Sequence, residues 1–99
     1  MDAIAYPLPN TSTDLTGQVA LVTGATSGIG HRFARVLAAS GARVVAAGRR
    51  RDRLDEVVAE IEGAGGSAVG VKLDMTDTSS ILAGVDAAEA AFGTVTILV

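Results

Sequence analysis

Thr23-Gly24-Ala25-Thr26-Ser27-Gly28-Ile29-Gly30 decides the reading of this chain. An apolar run, Val19-Ala20-Leu21-Val22, precedes it, and a helical pattern begins near Ile29. Glycines at 24, 28 and 30 fall where a strand must turn sharply and a helix must start close to a ligand. That layout is the one that seats a dinucleotide phosphate. Gly24 permits the tight exit from the strand. Gly28 lets backbone approach a pyrophosphate, and Gly30 lets helix and sheet pack closely. Thr26 and Ser27 add hydroxyls, and the first N–H groups of the helix add donors. A purely structural glycine turn is the plain alternative. The strand before and the helix after weigh against it.

The surrounding sequence places this turn in an α/β fold. The chain has 99 residues, 48% of them hydrophobic and 3% aromatic. Ala, Val, Gly and Leu dominate, as parallel strands buried under small-residue helices require. The first strand is expected over 19–23 and the first helix over 28–39, with Ile29, Phe33, Val36 and Leu37 facing the sheet. Ser40-Gly41 ends that helix. A second strand is expected over 43–47. A second helix follows over 51–62, apolar at Leu54, Val57, Val58 and Ile61 and charged at Arg53, Asp55, Glu56, Glu60 and Glu62. Gly63-Ala64-Gly65-Gly66 stops it. A third strand is expected over 68–73. Thr76 is the expected N-cap of a third helix, with Asp77 in its first turn and Ile81, Val85, Ala88 and Phe92 on its buried face. A fourth strand is expected over 95–99. Four strands alternating with three helices imply a doubly wound, parallel, Rossmann-like sheet. Residues 1–14, with Pro7, Pro9 and a Thr/Ser/Asn cluster, read as a poorly ordered arm, which leaves 15–99 as the domain.

Composition narrows the function. The net charge is −3 and no basic run appears, so nucleic acid is a poor candidate partner. With no cysteine, disulfides and thiolate metal sites are excluded, and no metal site is expected. No apolar run approaches the roughly 20 residues of a membrane span. The N-terminus has no basic region ahead of an apolar core, which makes the cytoplasm the expected compartment. Asn10-Thr11-Ser12 matches a glycosylation acceptor and reads as chance.

The glycine spacing, G-x3-G-x-G after Thr23, resembles the signature of the short-chain dehydrogenase/reductase family. Leu15-Thr16-Gly17-Gln18-Val19-Ala20-Leu21-Val22 is similar to that family's approach to its first strand. Leu73-Asp74-Met75-Thr76-Asp77 is similar to the segment after its third strand. The resemblance covers 14–99. It implies a nicotinamide-dependent oxidoreductase acting on a small carbonyl/alcohol substrate, and commonly a homodimer or homotetramer. Asp74 is implied as an adenine contact, with Met75 beside it. The family's Asn-Asn-Ala-Gly, its catalytic Ser and its Tyr-x3-Lys pair would follow the fourth strand, and this chain stops at Ile97-Leu98-Val99. Tyr6 has no lysine four positions on, and Lys72 ends the third strand, so no catalytic residue is assigned. The chain is therefore expected to be the cofactor-binding half of a longer protein. The alternative is a non-catalytic nucleotide-binding or redox-sensing module on the same fold.

The end of the second strand bears on which cofactor. A carboxylate there accepts from the ribose of NAD, whereas arginine suits the 2′-phosphate of NADP. Here Gly48 stands at the acidic position, followed by Arg49, Arg50 and Arg51. NADP is favoured over NAD, with Arg49 first and Arg50 second as ligands. The competing reading makes these arginines a solvated helix start neutralised by Asp52 and Asp55. The expected cofactor site is thus Gly24, Thr26, Ser27, Gly28, Ile29, Gly30, Arg49, Arg50, Asp74 and Met75. His31 is expected to be an isolated surface histidine with no carboxylate partner.

Overall fold

The computed structural model describes residues 14–99. The arm expected over residues 1–14 lies outside the described residues except for Asp14. The elements are β1 (Val19–Thr23), α1 (Gly28–Ala39), β2 (Arg43–Gly48), α2 (Arg51–Gly63), β3 (Ser67–Lys72), α3 (Thr78–Phe92) and β4 (Ile97–Leu98). The strands form one parallel sheet in the order β3-β2-β1-β4. This is the doubly wound arrangement expected from the alternating pattern.

Both faces of the sheet are covered, which is why its strands are apolar without alternation. One face packs Ala20, Val22, Val44, Ala46 and Ala68 under α1 and α2. The other packs Val19, Leu21, Val45 and Ala47 against α3, with Ala88 fully buried and Ile81, Val85 and Phe92 partly so. The β3–β4 crossover carries the chain from one outer strand past β2 and β1 to the other side of β1.

The structure corrects the sequence reading at three places. On α1 the buried residues are Ala34 and Ala38. Leu37 packs partly, while Ile29, Phe33 and Val36 are 73%, 45% and 53% exposed. Alanine methyl groups are what α1 buries fully against the sheet, and most of its bulky stripe lies to the side. The N-cap of α3 is Asp77, whose carboxylate accepts from the N–H groups of Ser79 and Ser80. Thr76 is drawn away because the Asp74 carboxylate accepts both its N–H, at 2.9 Å, and its hydroxyl, at 2.7 Å. Finally, β4 is regular only at Ile97–Leu98, although Thr96 and Val99 also bond to β1 through Val19 and Leu21.

α2 follows the pattern directly. Leu54, Val57 and Ile61 are buried and Val58 packs beside them. Complete burial of a side chain such as Leu54 contributes about 1.5–3 kcal/mol.

Candidate functional site

The carboxyl ends of β1, β2 and β3 are drawn level by backbone bonds. Ala25 N–H donates to the carbonyl of Ala47 at 3.2 Å, laying the glycine turn over the end of β2. Leu73 N–H donates to the carbonyl of Gly48 at 2.7 Å, which aligns the exit of β3. Ala25 is fully buried and anchors the turn.

The glycines of the turn are required for separate reasons. Gly24 and Gly28 have φ of +61° and +55°, the left-handed region. A Cβ on either would meet nothing within 4 Å, so the constraint is the backbone and the space before Gly28 is open. At Gly30 the constraint is steric. A Cβ there would lie 2.1 Å from the Gly24 carbonyl oxygen. Gly30 therefore sets how closely α1 approaches the turn. Ser27 is the N-cap of α1 but makes no side-chain capping bond, so its hydroxyl is not used by the helix.

A groove of about 420 Å³ opens over these strand ends. Gly24 and Thr26 line it from the turn, Gly48, Arg49 and Arg50 from the end of β2, and Asp74, Met75 and Thr76 from the segment after β3. Six of the ten expected site residues thus share one cavity. Ser27, Gly28, Ile29 and Gly30 do not line it; they form the adjoining start of α1. A second hollow, of about 730 Å³, lies between the C-terminal ends of α1 and α2, lined by Arg35, Val36, Gly41 and Gly65 among others. It holds none of the expected site residues.

Charge within the groove is divided. The hydrogen bonds from Thr76, and more weakly the positive charge of Arg49, hold the Asp74 carboxyl below its ordinary value. Asp74 is therefore a carboxylate at neutral pH. No carboxylate stands at Gly48, where a Cβ would meet Thr26 Cγ2 at 3.4 Å, Leu54 Cδ2 at 3.5 Å and Thr26 Oγ1 at 3.8 Å. The three arginines behave differently. Arg51 donates to Asp55 and to the carbonyl of Gly70. Arg50 donates to Asp52 at 3.3 Å. Arg49 makes no hydrogen bond or ion pair among the described residues. The neutralised-helix-start reading therefore describes Arg50 and Arg51 and not Arg49.

His31 is not isolated. Its Nε2 lies 2.7 Å from Oε1 of Glu60 on α2, and Arg35 Nε is 3.6 Å from the other carboxylate oxygen. The pairing joins residues 29 positions apart, so only the packing of the two helices creates it. Thr76 was also missed as a groove residue. Its spacing of two from Asp74, typical of a side-chain-closed turn, is the signal that could have found it. Among the described residues no cluster of His, Cys, Asp or Glu is arranged to hold a metal, and no helix is long and apolar enough to cross a membrane.

Fold and groove together define an α/β unit of the doubly wound class, with a groove outside the carboxyl ends of its strands, where open sheets of this class take their ligands. Comparison with known proteins carries this further. A family model described as short chain dehydrogenase matches residues 18–99, and the chain belongs to that family. It is 51% identical over 81 residues to a granaticin polyketide synthase protein of Streptomyces violaceoruber named as a ketoacyl reductase, covering 82% of this chain and 30% of that protein. It is 44% identical over 84 residues to 2,5-dichloro-2,5-cyclohexadiene-1,4-diol dehydrogenase of Sphingobium indicum, covering 85% and 34%. A hydroxysteroid dehydrogenase structure from Escherichia coli superposes with a TM-score of 0.85 at 37% identity, over 87% of this chain and 35% of that one. The chain thus spans about a third of the length of the relatives it matches.

Proposed function

We propose that residues 15–99 bind NADP in the groove over the strand ends, as part of an oxidoreductase that moves hydride between nicotinamide and a carbonyl/alcohol substrate. The observation that carries the cofactor choice is the end of β2. A glycine stands there in place of a carboxylate, and the next residue, Arg49, lines the groove and makes no hydrogen bond or ion pair among the described residues. A missing carboxylate removes repulsion against a 2′-phosphate, and a planar guanidinium can bind it bidentately.

The other roles follow from position. The left-handed turn at Gly24 and Gly28 and the first N–H groups of α1 receive the pyrophosphate, with the hydroxyls of Thr26 and Ser27 beside them. Ile29, largely exposed, flanks that approach. Asp74, kept ionised, offers an acceptor to the exocyclic amine of adenine, and Met75 offers an apolar wall. When bound, the nicotinamide supplies the hydride chemistry. Residues 14–99 position the cofactor, and none of them is assigned a catalytic role. The relatives named above as ketoacyl reductase, diol dehydrogenase and hydroxysteroid dehydrogenase support a ketone or secondary alcohol as the reacting group. A cytoplasmic homodimer or homotetramer fits this reading.

Calorimetric titration of NADP+ and NAD+ against the protein and its Arg49→Ala variant tests the proposal. Loss of a hydrogen-bonded charge pair predicts that Arg49→Ala weakens NADP+ by at least about tenfold. NAD+ should change little. Equal affinities for the two cofactors in the parent protein would refute it.

A further inference from the structure

Arg50 and Asp52 form a contact that the cofactor reading leaves unused. Arg50 lines the groove beside Arg49 and is the N-cap residue of α2, with Asp52 in the helix's first turn. Its Nη2 donates to Asp52 Oδ2 at 3.3 Å, a single long contact between side chains 61% and 68% exposed. A pair this open to solvent is weak. A phosphate dianion, by contrast, offers a guanidinium two short charge-assisted bonds. Arg51 cannot take this part. Its guanidinium is held by Asp55 and by the Gly70 carbonyl of edge strand β3, and it does not line the groove.

We propose that Asp52 is a positioning residue that moderates the preference for a 2′-phosphate by competing with it for Arg50. The inference rests on the NADP reading above. In the free protein Arg50 is held on Asp52. When a 2′-phosphorylated nucleotide enters, Arg50 leaves Asp52 and joins Arg49 on the phosphate. Asp52 therefore lowers affinity for NADP by competing for Arg50. It does nothing to NAD, which brings no phosphate to that place. Asp52 moderates a preference that Arg49 creates.

The test is the ratio of dissociation constants for NADP+ and NAD+, because a merely structural effect on α2 would move both together. Releasing a surface pair of this kind predicts that Asp52→Asn tightens NADP+ about threefold. NAD+ should stay unchanged, and the gain should shrink as salt is raised. Adding Arg50→Ala to Asp52→Asn should abolish the gain, whereas Asp52→Glu should bind as the parent does. Equal tightening of NAD+ overturns the proposal, and so does a gain that survives without Arg50. A parent with no preference for NADP+ sinks this inference together with the cofactor reading. A parent that prefers NADP+ but is indifferent to Asp52 sinks this inference alone.

Discussion

α1 and α2 lie side by side on the same face of the sheet and are built in opposite ways. α2 buries its large residues, Leu54, Val57 and Ile61, and exposes its charges. α1 buries alanines, Ala34 and Ala38, and leaves Ile29, Phe33 and Val36 largely open. α2 is therefore held by buried apolar area. α1 trades that area for proximity, which brings its N-terminus down onto the Gly24 carbonyl at the mouth of the groove. The difference separates a helix that stabilises from a helix that positions.

The comparison can be broken at the point of closest approach. Gly30→Ala puts a methyl group against the Gly24 backbone, where no flexible side chain can yield. It should cost about 3 kcal/mol or more in thermal unfolding and abolish nucleotide binding. A variant that kept the parent's unfolding midpoint would mean that α1 is not held by this contact. On α2 the matching change is Leu54→Ala. It should cost about 2–5 kcal/mol through the cavity it leaves, while the ratio of NADP+ to NAD+ affinity stays put. Ile29→Ala removes a comparable side chain from α1, yet it should shift stability by no more than about 0.5 kcal/mol. If Ile29 and Leu54 cost the same, the two helices are not built differently.

The smallest effect concerns the link between the helices. The His31 hydrogen bond, and secondarily the Arg35 charge, holds the Glu60 carboxyl below its ordinary value of 4.5. A depressed folded value means that this contribution is complete above pH 4.5 and is lost as pH falls through the lower folded value. Unfolding midpoints measured from about pH 7 down to about pH 3 should fall slightly less steeply in Glu60→Gln than in the parent. Identical slopes would show that the contact does not couple the helices.

α2 was legible in the sequence because its bulky residues and its buried residues are the same ones. On α1 they are not. Hydrophobic periodicity registers Ile29, Phe33 and Val36 strongly and alanine weakly, so it pointed to the exposed flank. The glycine turn was readable because backbone requirements restrict residue type locally. Thr76 was expected as the cap of α3, and Asp77, one position on, is the cap instead because the Asp74 side chain holds Thr76. Position in the sequence ranked Arg49 ahead of Arg50 but said nothing of what each guanidinium touches. Asp52, Asp55 and the Gly70 carbonyl distinguish them in space, and the last of these is set by the sheet. The His31–Glu60 pair depends wholly on how two helices pack, which no local spacing records.

The most direct test of the central claim is a crystal structure of the protein with NADP+ bound. The 2′-phosphate should sit within hydrogen-bond distance of the Arg49 guanidinium, with the adenine beside Asp74 and Met75 and the pyrophosphate over Gly28. A nucleotide lodged in the larger hollow between α1 and α2 would contradict the account. So would a 2′-phosphate turned to solvent with Arg49 unengaged.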